Sequence, residues 1–161
     1  MKNTRNDQPG RVIVGIEDRE GSVAALKCAA EEARQRHAVL VVVAAWSPYG
    51  GVTAARTCPS PELDAAQRAS TQVVLNTICQ RADLPDDLSV ERRVERGRLG
   101  PVLAGLAHSP RDLLVVGLRH RSAFAWLRAS FDSYCLRSAT APVLVVPPDW
   151  ASTVAEPVLA A

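Results

Sequence analysis

The chain has 161 residues, with 19 basic and 17 acidic side chains, a formal net charge of +2, 47% hydrophobic and 22% charged residues. That is enough chain and apolar content for one domain with a buried core, and the charge is too balanced to indicate a nucleic-acid partner. No apolar run approaches the ~20 residues that a membrane-spanning helix needs, and with Lys2 and Lys27 as the only lysines, arginine has to carry any anion contact.

The opening residues MKNTRNDQPGR are polar and lack the apolar segment of a secretory signal. They are read as a disordered tail over residues 1–10 of a cytoplasmic protein. Arg11 to Ile16 is a β-branched run that stops at the acidic pair Glu17 and Asp18. Ser22 is placed to cap a helix whose positions Leu26, Ala29, Ala30 and Ala33 recur at spacings of three and four, with Arg34 and Arg36 near its end. Ala38 to Trp46 is a near-continuous apolar run, the pattern of a strand covered on both faces of a parallel sheet.

Ser47 to Ser60 is rich in Pro, Gly, Ser and Thr and reads as an irregular loop. Ser60, Pro61 and Glu62 make a helix start, and Leu63, Ala66, Ser70, Val73 and Thr77, with Val74 and Ile78 beside them, are expected to form the buried stripe of a long helix to about Arg81. After a turn at Leu84 to Asp87, Leu88 to Glu95 is a polar strand suited to a sheet edge. Gly97 to Ala107 is helical with Pro101 near its start, Leu113 to Gly117 is a strand, 130–139 a helix, and Pro142 to Val146 a last apolar strand before a flexible tail over 149–161.

Five strands alternating with four helices imply a single α/β domain, a doubly wound open sandwich with right-handed crossovers. The loop after Gly117 then lies beyond the carboxyl ends of the strands, where such sheets place ligands. Cys28, Cys58, Cys79 and Cys135 are scattered, with no C-x-x-C pair to suggest zinc or redox chemistry. No histidine is spaced with a partner for metal binding; His37 and His108 sit at helix ends, where charge suits the dipole. No Ser-His-Asp or Cys-His arrangement is identifiable, so hydrolase chemistry is unsupported.

Taken together, VIVGIED at Val12 to Asp18, the helix Ser22 to Ala38, LVVVAAW, the turn Val94 to Gly97 and the long stretch from Val115 to Pro147 resemble a universal stress protein domain over residues 11–148. The resemblance implies a five-stranded parallel sheet in the order 3-2-1-4-5 and a homodimer through the last strand, Val143, Leu144, Val145 and Val146. It also implies a family divided into ATP-binding and non-binding members. In the binders, an Asp after strand one and a small residue late in strand two enclose the nucleoside. A G-x-x-G loop, nine residues and then Gly-Ser or Gly-Thr hold the phosphates. Carried onto this chain, the Asp position falls on Glu17, the small residue on Ala44, and the first glycine on Gly117. The second glycine falls on His120, the third on Ser130 and the hydroxyl residue on Phe131.

A phosphate cradle points several backbone N–H groups at the anion and needs glycine for close approach and for left-handed dihedrals. His120 weakens such a loop, since a positive φ is uncommon for histidine. Ser130 is a mild change, while Phe131 removes a donor and adds bulk, and Asp132 supplies a carboxylate of its own to the helix N-terminus. Arg119, Arg121 and Arg128 read either as a solvated basic face offsetting Asp132 and Glu17 or as direct anion contacts. Trp46, Trp126 and Trp150 read as core or lid packing ahead of base stacking. A receiver domain shares the sheet order but lacks here the Asp after strand three and the Lys after strand four.

The expectation is therefore a dimeric, non-enzymatic regulatory module with a degenerate nucleotide loop, weak or no ATP binding, an unidentified protein partner and no nucleic-acid or membrane partner. The alternative is a nucleotide switch or slow ATPase that holds ATP with Mg through Arg119, Arg121 and rearranged backbone groups.

Overall fold

The structure is a computed structural model that describes residues 10–18, 21–118 and 131–150. In chain order the elements are β1 (Arg11–Ile16), α1 (Gly21–Gln35), β2 (Val39–Trp46), α2 (Gly51–Thr57), α3 (Pro61–Ala82), β3 (Val90–Arg96), α4 (Leu99–Leu106), β4 (Leu113–Gly117), α5 (Phe131–Ser138) and β5 (Val143–Val146). The strands form one sheet in the order β3-β2-β1-β4-β5, and every pairing is parallel. The order 3-2-1-4-5 and the four expected helices are present as read from the sequence.

Alternation along β1 divides the core. Val12, Val14 and Ile16 pack with α1 and α3 on one face, while Ile13 packs with Leu99 and Leu103 of α4 and Cys135 of α5 on the other. β1, β2 and β4 are apolar on both sides because each is covered twice. β3 is an edge strand carrying Glu91, Arg92, Arg93 and Glu95, a charged rim of the kind that discourages further pairing. No helix among the described residues is long and apolar enough to cross a membrane.

Three local expectations are corrected. The 47–60 segment contains a seven-residue helix, α2: Gly50 and Gly51 take positive φ values of 74° and 84°, making a tight turn from which the Ala-containing run can start a helix. Ser22 does not cap α1 but lies inside its first turn, with its hydroxyl turned back on the chain. It accepts from the Glu17 N–H at 3.1 Å and donates to the Glu17 carbonyl at 2.6 Å.

The third correction concerns α3, where Ile78 of the anticipated stripe is buried and Val74 half-buried, but Leu63 and Val73 are 46% and 64% exposed, and Leu75, Cys79 and Ala82 are buried alongside Ile78. Length explains Leu63: twenty-two helical residues reach ~33 Å, whereas a strand of seven or eight residues reaches only ~23–27 Å, so the first turns of α3 overshoot the sheet. Val73 is exposed because it lies on the outward face of the helix, next to half-buried Val74.

At the opposite end of the sheet, Arg11 makes a two-point ion pair with Asp112, Nε to Oδ1 at 3.1 Å and a terminal guanidinium nitrogen to Oδ2 at 2.7 Å. The same guanidinium donates to the Leu106 carbonyl at the end of α4, and Ser109 N–H donates to Asp112. Desolvation pushes the Asp112 carboxyl up, but the Arg11 hydrogen bond, the Ser109 N–H and the Arg11 and His108 charges together hold it below the ordinary value. Three of the four cysteines, Cys28, Cys79 and Cys135, are buried and free, and Cys58 is exposed. Burial pushes the Cys28 thiol up to about 11, which makes it a packing group rather than a nucleophile.

Candidate functional site

In an order of 3-2-1-4-5 the winding direction reverses between β1 and β4, and the loops after those two strands part over opposite faces. Ligands of such sheets bind in that crevice. Here the two ends are Glu17 and Gly117.

Gly117 is in close contact with α1. A Cβ on it would lie 2.6 Å from the Gly21 carbonyl oxygen and 3.0 Å from the Ala25 Cβ, and a Cβ on Gly21 would lie 2.5 Å from the Leu118 carbonyl oxygen. The obstructing atoms are backbone and a Cβ fixed to it, with no flexible side-chain end to swing away. Glycine at 117 is thus demanded by the packing of β4 against the start of α1, independently of any phosphate.

Glu17 stands between two clefts. The larger, of about 290 Å³, is bounded by Glu17, Ser47, Arg98, Leu99, Gly100 and Tyr134. The smaller, of about 170 Å³, has Glu17, Asp18 and Ala44 on the sheet side and Ser70, Thr71 and Val74 of α3 opposite. Both are below the ~300–1,000 Å³ usual for ligand pockets. The Ser22 hydroxyl, by engaging both the N–H and the carbonyl of Glu17, fixes the backbone from which this carboxylate projects.

The wall of the larger cleft is set by Gly97, whose φ of 136° favours glycine. Its N–H donates to the Trp46 carbonyl at 2.8 Å, and its own carbonyl accepts from Ser47 Oγ at 3.3 Å. The turn delivers the first residues of α4 to the cleft, with Arg98 at the N-cap making no side-chain cap. At the rim the Arg96 guanidinium lies 5.6 Å from the Trp46 ring centroid and 3.8 Å from Asp64 of α3, so Trp46 serves packing at the strand end.

Of the residues singled out by sequence, the structure brings Glu17 and Ala44 together in the smaller cleft, while Gly117 lines neither. Arg119, His120, Arg121, Trp126, Arg128 and Ser130 lie outside the described residues. Phe131 opens α5, and its side chain also lies outside them. Val143, Leu144 and Val145 of β5 are half-buried, Val146 is fully buried, and β5 pairs with β4 on one side. Sequence reasoning missed Tyr134, Arg98 and Thr71 as cleft residues. Their convergence depends on how α3, α4 and α5 cross the sheet, for which linear spacing carries no signal. Among the described residues, no group of three His, Cys, Asp or Glu is placed to hold a metal ion.

Residues 9–147 match the model of the universal stress protein family. No curated protein matches the chain by sequence. Among solved structures, the chain is similar to the universal stress protein UspA from Lactobacillus plantarum, with a TM-score of 0.66 and 20% identity over 88% of this chain and 99% of that one. It is also similar to a universal stress protein in complex with cAMP, at TM-score 0.60 and 25% identity over 86% and 97% of the two chains. A third similar structure is the Archaeoglobus fulgidus universal stress protein in complex with dAMP, at TM-score 0.51 and 15% identity over 85% and 97%.

Proposed function

Because this chain belongs to the universal stress protein family, we propose that it works as a dimeric, cytoplasmic regulatory module whose degenerate loop binds ATP weakly or not at all. The observation that carries the reading is the contact between Gly117 and Gly21. Gly117 is the one glycine of the phosphate signature that the chain keeps, and the fold requires it for strand-helix packing. Its presence therefore gives no support to a phosphate cradle. The other signature positions are occupied by His120, Ser130 and Phe131, and Glu17 puts a longer carboxylate between the two clefts.

A second reading is favoured by the relatives with cAMP and dAMP: a nucleotide switch in which Glu17 and Ala44 meet the nucleoside and Arg119 and Arg121 meet the anion, with Mg accompanying a triphosphate. Calorimetric titration of the purified protein with Mg-ATP separates the two. No heat up to millimolar nucleotide is expected, and a micromolar Kd would overturn the first reading. Running cAMP and AMP in parallel tests whether a single phosphate is accepted where three are not.

We propose that the dimer forms at β5, a short apolar strand, Val143 to Val146, that among the described residues pairs on one side only, with β4, and whose half-buried Val143, Leu144 and Val145 would meet a second copy. Val145→Lys is expected to give monomer by light scattering at concentrations where the parent chain is a dimer. A dimer that survives the change would move the interface away from this strand.

A further inference from the structure

The amino-terminal half of α3 is a well-formed helix with little holding it. Its N-cap Ser60 makes no side-chain cap, and its first buried residue is Leu75, fourteen residues after it starts. From Pro61 to Val73 the helix is exposed apart from half-buried Asp64 and Thr71. The Thr71 hydroxyl donates back to the Gln67 carbonyl at 2.9 Å, a bond that ties the helix to itself. Among the described residues, the charged contact between this half and the sheet is Asp64 to Arg96 at 3.8 Å, and the same guanidinium rests over Trp46. Half of α3 is thus anchored by Leu75, Ile78, Cys79 and Ala82, while the other half, among the described residues, carries one ion pair to the sheet.

Thr71 and Val74, at the junction of the two halves, face Glu17 and Ala44 across the smaller cleft. We infer that the first three turns of α3 form a releasable cover over the cleft beside Glu17, with Arg96 as its latch and Leu75 to Ala82 as its fixed root. Segments with few buried apolar contacts open at a fraction of the global unfolding free energy, and a helix stripped of packing is marginal in water. The cleft of about 170 Å³ is the closed state, and release of Pro61 to Val73 widens it without disturbing the sheet. Its role in gating a ligand rests on the functional reading of the clefts; the opening itself does not.

Hydrogen exchange on the ligand-free protein tests the opening. Amides of residues 65–73 are expected to exchange roughly tenfold or more faster than those of 76–82. Arg96→Ala, which alters no residue of α3, should speed the 65–73 set a further two- to fivefold or so and leave 76–82 and the buried part of β2, Leu40 to Val43, unchanged. Asp64→Ala cuts the same latch from the other side and should act on the same amides. Equal rates along the whole helix would overturn the cover, and an unchanged pattern in both variants would overturn the latch.

Access to the cleft is read separately by placing Ala44→Cys in a Cys58→Ser background and following thiol labelling. Labelling should accelerate with Arg96→Ala while buried Cys79 in the fixed root stays silent; labelling indifferent to Arg96 would remove the gating role. None of these measurements uses nucleotide, so failure of the cover and failure of the nucleotide reading remain distinguishable.

Discussion

Replacing Arg11 with Met is expected to cost the fold about 3–5 kcal/mol, the usual penalty for removing one partner of a buried ion pair, read from urea unfolding at pH 7. Asp112 is 3% exposed and receives two hydrogen bonds from Arg11; without them a carboxylate is left desolvated with the Ser109 N–H as its remaining described donor. The Leu106 carbonyl loses its guanidinium at the same time.

The pH dependence has a definite sign. In the parent protein the carboxyl is held below its ordinary value, so its contribution is fully present above the unfolded pKa, near 4, and is lost as pH falls through the folded value. In Arg11→Met the desolvation that raises this pKa is opposed by the Ser109 N–H and the His108 charge without the Arg11 contributions, so the folded pKa lies above the parent's and the variant loses less stability on acidification. The difference between the two proteins should shrink steadily from pH 7 to pH 4. A difference that stays constant across that range would show that Asp112 is not the group responsible.

Gly117→Ala is the second large effect, expected to destabilise by about 1–3 kcal/mol, the range for overpacking a well-packed interior. The added methyl would sit 2.6 Å from the Gly21 carbonyl oxygen, so β4 and α1 must separate at a point where both are buried. The measurement is an unfolding curve without nucleotide. A loss of that size supports Gly117 as a packing residue, whereas a change within about 0.5 kcal/mol, the range for substitutions away from such contacts, would return this glycine to a role in ligand binding. The prediction bears directly on the proposed function, because Gly117 is the residue by which this loop most resembles a phosphate binder.

Much of the architecture was legible in the residues. Apolar runs such as Val39 to Trp46 and Leu113 to Gly117 mark strands that are covered on both faces, and the charged run Val90 to Arg96 marks an edge. Those properties follow from local pattern and burial alone. The candidate site was less legible. Glu17 and Ala44 were found through the family pattern, but that they share a cleft with Thr71 and Val74 depends on where a helix from another part of the chain lies. The Ser22 hydroxyl illustrates the difference: a serine before a helical run reads as a cap, yet the turn geometry places it where it clasps Glu17.

The periodicity of burial, and hence five buried or edge strands with helices between them, is already written in the order of the residues, because alternation and helical spacing are properties of neighbours in the chain. Tertiary structure alone decided which side chains meet across the sheet: Arg11 with Asp112, 101 residues apart, Gly117 against Gly21, and Arg96 between Trp46 and Asp64. It also decided that α3 outruns the strands it covers. Helix and strand advance at different rates per residue, so that the first turns of α3, with Leu63, are left in solvent where the sheet beneath them ends.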